Sequence, residues 1–233
     1  MRLGGPIGQV LDLLTGQTAL ESGLPALLGL ALALVVGITI HEFSHALAAD
    51  RLGDLTPRYQ GRLSLSPAAH LDPMGMLVFV LAGFGWGRPV QFNPLRLRVN
   101  PRIGSGIVGF AGPLSNLIVG GLVGLGLRAT LAVLGGESNV STPVVMAINT
   151  VAYFVYFNLL LAIFNLVPLP PLDGSHILLA LLPAEMAYSL ERLYARLGPY
   201  SLLVLFLLLW VFAPVFGPIL NAPVQALFRL FVG

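Results

Sequence analysis

The stretch GLALALVVGITI, residues 29–40, carries no charge and runs directly into His41-Glu42-Phe43-Ser44-His45. On a helix, residues four apart share a face, so both imidazoles can reach one ion while Glu42 stands beside it as a general base. An apolar run that ends in such ligands points to zinc chemistry inside a membrane. The alternative is a buried histidine pair with a capping glutamate. Three ionisable groups in apolar surroundings weigh against it, because such groups are costly there without a compensating partner.

Composition identifies the solvent. Hydrophobic residues make up 56% of the 233 residues and charged residues 9%, with a mean hydropathy of +0.88. Soluble domains carry about a quarter charged residues, so this is an integral membrane protein. The length accommodates several spans with short connections but not a bundle plus a sizeable soluble domain, so residues 1–233 are expected to form a single membrane-embedded domain. The net charge of +2 comes from 12 basic residues, all arginine, spread through short loops. No dense basic tract is present, which argues against a nucleic-acid partner. Cysteine is absent, so disulfides and thiolate ligands are excluded and a zinc site must use histidine and carboxylate.

The expected architecture is an all-α polytopic membrane protein: a three-span catalytic core over about residues 25–185, a small re-entrant β-hairpin and additional flanking helices. Residues 1–23, with Asp12 and Glu21, read as an interfacial or flanking segment. Clear apolar runs extend from Leu24 to about Ala49, from Ile103 to Leu127 and from Pro143 to about Val167. Between the first two, the alternation in Gly61-Arg62-Leu63-Ser64-Leu65-Ser66 reads as a strand of a short hairpin. Pro73 to Gly87 is apolar but interrupted at Gly75, Gly83, Gly85 and Gly87; it suits a re-entrant loop with both ends on one side. Residues 186–233 read as a C-terminal span and tail, broken by Pro214, Gly217, Pro218 and Pro223.

Seven arginines lie from Arg51 to Arg102, whereas the connection between the second and third runs has only Arg128. The positive-inside rule therefore predicts a multi-pass protein of the cell membrane with the His41–His45 motif towards the cytoplasm.

A catalytic zinc site needs a third protein ligand. In Asn165-Leu166-Val167-Pro168-Leu169-Pro170-Pro171-Leu172-Asp173-Gly174, one carboxylate sits between apolar segments where proline and glycine break the helix. A bare aspartate at mid-bilayer costs roughly 2.5 to 3.5 kcal/mol, so it must face protein, water or a metal. Capping the following helix is the competing role for Asp173; beside the His-Glu-x-x-His motif, a metal ligand is favoured.

The motif at His41–His45, Ala111-Gly112-Pro113-Leu114-Ser115-Asn116 in the second run, and the stretch from Asn165 to Gly174 in the third occur in the order that resembles the site-2 protease family of intramembrane zinc metalloproteases. Gly53-Asp54-Leu55-Thr56-Pro57, Gly61-Arg62-Leu63-Ser64 and His70-Leu71-Asp72-Pro73-x-Gly75 resemble its compact prokaryotic branch without PDZ or CBS domains. The resemblance implies one zinc ion per chain held by His41, His45 and Asp173, with Glu42 activating the water. It also implies that Asn165 helps hold substrate or oxyanion, although a helix-to-helix hydrogen bond is equally open to it. Asn116 and His70 are further candidates for substrate binding, with a structural role equally open to the lone loop histidine His70. His176, three residues after Asp173, invites a ligand or supporting role, but the third ligand is already supplied and the family pattern does not demand a histidine there. Gly112 and Pro113 suit close helix packing and a bend. The implied substrate is a transmembrane protein or peptide within the lipid bilayer, presented by strand addition to the hairpin. The competing class is a non-proteolytic zinc-binding membrane protein, either a scaffold or a transporter component. The oligomeric state is not read from the sequence.

Overall fold

The computed structural model describes residues 19–82, 85–135, 140–211 and 213–233. Most of the expected segment at residues 1–23 lies outside them, as do Gly83 and part of the connection between the second and third apolar runs. Helices α1 (Leu20–Leu32) and α2 (Ile38–Arg51) run into one another through a π-helical turn at Ala33–Gly37. A short turn of helix, α3 (Thr56–Tyr59), follows, then α4 (Pro73–Ala82), α5 (Pro101–Leu134) and α6 (Thr142–Asn165). The chain continues as α7 (Gly174–Leu181), α8 (Ala184–Leu197), α9 (Ser201–Val211) and α10 (Ala213–Phe231).

Three helical stretches among the described residues are long and apolar enough to cross a membrane: Gly23–Arg51, Pro101–Leu134 and Thr142–Asn165. The shortest has 24 residues, which at 1.5 Å per residue covers about 36 Å against a hydrocarbon core of about 30 Å. Large apolar side chains on their outer faces, such as Ile118, Leu122 and Leu125, are exposed, as suits lipid contact. Asn100 starts α5 by accepting from the Arg102 and Ile103 N–H groups, with Pro101 in the first turn, where its missing N–H costs nothing. The left-handed Gly135 ends it.

Close helix approach depends on glycine. A Cβ at Gly29 would lie 2.5 Å from the Tyr153 Cβ and 2.7 Å from the Thr150 carbonyl, so α1 and α6 pack backbone to side chain. On the other side of α6, buried Val155, Leu159 and Val224 form an apolar core with Leu117 and Phe231, which docks α10 onto α5 and α6. Tyr156 donates to Asn221 Oδ1 at 3.0 Å and Arg128 to the Leu230 carbonyl at 3.1 Å.

The β-hairpin expected at residues 61–66 is absent: no strand occurs among the described residues, and the only extended pairing is a single antiparallel bridge, Leu71 to Gly87. The alternation of leucine and serine misled because local partners already occupy the backbone of that segment. The Arg62 N–H bonds the Pro57 carbonyl at 2.9 Å, Ser66 N–H bonds Ser64 Oγ at 3.1 Å, and the Ser64 carbonyl accepts from the His70 ring at 2.6 Å. The two ends of the segment from Pro73 to Gly87 meet: Leu71 bridges Gly87, and the Arg88 N–H donates to the His70 carbonyl at 2.6 Å. The outgoing limb is helical, and Gly75 and Gly85 let the two limbs touch backbone to backbone.

The returning segment is tied to the turn after α2 by Asp54. Its buried carboxylate accepts from the Thr56 N–H and hydroxyl and, at 2.5 Å, from the Asn93 N–H. Burial alone would raise the Asp54 carboxyl. The Thr56 and Asn93 hydrogen bonds and the Arg96 charge outweigh it and hold the group below the ordinary carboxylate range.

Two measurements check this packing. Gly29→Val should lower stability in detergent by at least about 2 kcal/mol through overpacking, read as a drop in melting temperature; an unchanged melting temperature would contradict the α1–α6 contact. A carboxyl with a depressed folded-state pKa stabilises the fold when ionised and stops doing so once protonated. Asp54→Asn should therefore melt below the wild type at pH 7, and the gap should close as the pH falls below about 4. A gap that stays constant from pH 7 to pH 3 would refute the role given to Asp54.

Candidate metal centre

His41 and His45 lie on α2 immediately after the π turn, both buried, with ring centroids 4.6 Å apart and planes at 85°. Each ring is held from behind through Nδ1: His41 donates to Asn116 Oδ1 on α5 at 2.6 Å, and His45 to the Val108 carbonyl on the same helix at 2.7 Å. With both Nδ1–H groups spent on oxygen, both Nε2 atoms point lone pairs the other way.

They point at Asp173. The carboxylate sits at the end of the break between α6 and α7, where the chain turns through Val167, Leu169 and Leu172 and includes a cis Pro170–Pro171 bond. Gly174 is required there, since a Cβ would run into the Leu166 and Val167 carbonyls. Asp173 makes no side-chain cap bond to α7; instead its Oδ2 lies 3.0 Å from His41 Nε2 and 3.4 Å from His45 Nε2. The capping role left open by the sequence is thus not taken up.

A metal ion fits this group. Three ligand atoms lie within 4.8 Å of one another, and Asp173 Oδ2 is buried with no hydrogen-bond partner. Zinc bonds of about 2.0 to 2.1 Å arranged tetrahedrally set neighbouring ligand atoms about 3.3 to 3.4 Å apart, close to the two spacings found. Gly112 makes the approach possible: a Cβ there would fall on the His45 and His41 rings. Gly109 likewise leaves room for the Asp173 carbonyl and His176.

The three side chains line a cavity of about 420 Å³ with Glu42, Asn165 and His176. Glu42 Oε2 accepts from the Val90 N–H at 3.2 Å, which holds the carboxylate against the returning segment at the cavity wall. Asn165 spends its Nδ2 on the Leu161 carbonyl of its own helix at 2.9 Å. Asn116 and His70 are fully buried and do not line the cavity. Asn116 stands behind His41, and the His70 ring pins the Ser64 carbonyl.

Asn158 on α6, which the sequence reading passed over, belongs to the same assembly. Its Oδ1 accepts from Asn116 Nδ2 at 3.1 Å, and it is fully buried. An asparagine in a 24-residue apolar helix is itself a signal, since intramembrane polar groups need partners. Asn149 on the same helix has the same appearance in the sequence, so the signal does not single out Asn158.

The sequence profile described as Peptidase family M50 matches residues 29–210. Among curated proteins, the chain is 37% identical over 210 residues to "Putative zinc metalloprotease YwhC" of Bacillus subtilis, covering 87% of this chain and 90% of that one. It is 28% identical over 216 residues to "Putative zinc metalloprotease Rip2" of Mycobacterium tuberculosis strain H37Rv, covering 89% and 76%. No solved structure matches at a significant level. With a profile match over most of its length and a relative that aligns nearly end to end, this zinc-fitting membrane chain belongs to Peptidase family M50, the site-2 protease family of zinc metalloproteases.

Proposed function

We propose that the chain is an intramembrane protease that hydrolyses peptide bonds within or near transmembrane segments of other proteins, with His41, His45 and Asp173 holding one zinc ion and Glu42 as general base. The observation that carries this reading is the convergence of two Nε2 lone pairs and a buried carboxylate oxygen with no hydrogen-bond partner on one point, beside Glu42, in a cavity at the end of an apolar helix.

Zinc bound there supplies a Lewis acid that polarises the scissile carbonyl and acidifies water. The chain's own residues do the rest. Glu42 follows His41 on α2, so its carboxylate reaches the same cavity without being a ligand. Held on one oxygen by the Val90 N–H, it takes the proton of the attacking water and returns it to the leaving amine. Asn165, with its Nδ2 turned back to its own helix, offers Oδ1 to a substrate N–H. The largely apolar walls, including Ile38, Phe92, Leu161 and Phe164, suit a substrate drawn from a membrane-spanning segment and limit competing water.

In this reading the protein crosses the cell membrane several times. The arginines between α2 and α5, including Arg58, Arg96 and Arg98, support a topology in which that end, and with it the histidine-bearing half of α2, faces the cytoplasm.

The test is a comparison of purified wild type and Glu42→Gln in detergent. Both should hold one zinc per chain. Only the wild type should cleave single-span membrane peptides, with at least about a thousandfold separation in rate for loss of the base and its charge. Asp173→Ala should lose zinc at chelator concentrations that leave the wild type loaded. A Glu42→Gln protein that cleaves normally overturns the assignment of the base. Wild type that binds zinc firmly but cleaves no membrane peptide favours a non-proteolytic role.

A further inference from the structure

Two asparagines cross the interior of the bundle where no solvent reaches. Asn116 Nδ2 donates to Asn158 Oδ1 at 3.1 Å and to the Gly37 carbonyl at 3.1 Å, and its Oδ1 faces His41 Nδ1 at 2.6 Å. Asn158 Nδ2 donates to the Phe154 carbonyl at 2.9 Å. Asn116 and Asn158 are both fully buried, and Gly37 is tight against them: a Cβ there would lie 2.9 Å from Asn158 Oδ1.

A primary amide can be turned over, exchanging its oxygen and its NH2 group with little change of shape. Here the direction decides what His41 is. If the Asn116 oxygen faces the ring, Nδ1 carries the proton and Nε2 offers a lone pair to a metal. If the NH2 group faces it, Nδ1 must accept, the proton moves to Nε2, and the ring cannot bind a metal without losing it. Two acceptors settle the matter. The Gly37 carbonyl lies in the π-helical turn that leads into α2. Asn158 Oδ1 is committed as an acceptor because its own NH2 is engaged by the Phe154 carbonyl. Together they take both Asn116 N–H bonds and leave only oxygen for His41.

We infer that Asn158 is a positioning residue for the metal centre: through the Asn116 amide it fixes the His41 tautomer that leaves Nε2 free for zinc. This rests on the assignment of His41 as a ligand under Proposed function. Three features that the ligand set leaves unused then act together: the polar residue in the middle of α6, the π turn, and the small residue at position 37.

The test uses Asn158→Leu, close in shape but with no acceptor, and Asn158→Asp, whose acid form retains a carbonyl oxygen for Asn116 and an O–H for Phe154. Zinc affinity in detergent is measured by chelator competition. The tautomer of His41 is read from the 15N resonances of the metal-free protein labelled at histidine, assigned with His41→Ala. Loss of a supporting partner at a metal site weakens binding about 10- to 100-fold; for a residue one step further out, Asn158→Leu should weaken zinc by about tenfold and mix the His41 tautomers. Asn158→Asp should stay within about threefold of the wild type with the Nδ1–H form retained. Asn158→Leu that keeps wild-type affinity and the Nδ1–H tautomer overturns the inference. So does a pair of variants that lose zinc equally, or that both fail to fold, since either would make the residue a packing element only. If His41→Ala binds zinc as well as the wild type, the ligand assignment itself has failed.

Discussion

Two Nδ1–H bonds, from His41 to the Asn116 side chain and from His45 to the Val108 carbonyl, determine what the centre of this bundle can do. Both partners lie on α5, so one helix turns two rings on another until their Nε2 atoms face the same point. Most of the remaining structure is a consequence of bringing those helices close enough. Gly112 has to be small because the rings lie against it, and Gly109 sits in close contact with the Asp173 carbonyl and His176, which a Cβ would press aside by a few tenths of an ångström. In water such a packing would have the hydrophobic effect behind it. Between helices in lipid that force is weak, and small residues with interhelical hydrogen bonds replace it. The glycines of α5 and the two buried asparagines are the two halves of that arrangement.

The carboxylate arrives by a different route. Asp173 stands where α6 has ended and α7 has not begun, in a backbone that a membrane tolerates only when it is enclosed by protein or lines a cavity. Here Leu166 to Gly174 satisfies much of its own hydrogen bonding through tight turns, and Tyr194 on α8 donates to the Pro168 carbonyl at 2.7 Å. The break therefore delivers a charge into the bundle without leaving its backbone bare. Opposite it, Glu42 is held by a main-chain N–H of the segment that returns from α4, and that segment is itself anchored by Asp54 and by the His70 carbonyl. Residues far from the His41–His45 motif in sequence thus bear on where the Glu42 carboxylate stands.

Much of this was legible beforehand, for physical reasons. An apolar helix of bilayer length needs no tertiary context to be recognised, and histidines four apart on it share a face whatever surrounds them. Asp173 was visible because proline and glycine advertise a helix break and a lone charge there demands a partner. The segment at residues 61–66 failed for the complementary reason. Alternation of Leu63 and Leu65 with serines has the period of a strand, but side-chain period carries no information about which backbone groups are already bonded to Pro57, Ser64 and His70. Asn158 was illegible for want of a contrast with Asn149: both are asparagines on an apolar helix, and only the meeting of three helices distinguishes them. His45 likewise finds a main-chain partner, and no sequence pattern marks a carbonyl such as that of Val108.

The central claim, that His41, His45 and Asp173 form one closed-in zinc site, is tested most directly by zinc K-edge X-ray absorption on the wild-type protein purified in detergent without added metal. The account predicts one zinc per chain with a four-coordinate shell of nitrogen and oxygen at about 2.0 to 2.1 Å, and with the outer-shell scattering of two imidazoles. A shell of six oxygens without imidazole scattering, or a protein that carries no zinc, would contradict it.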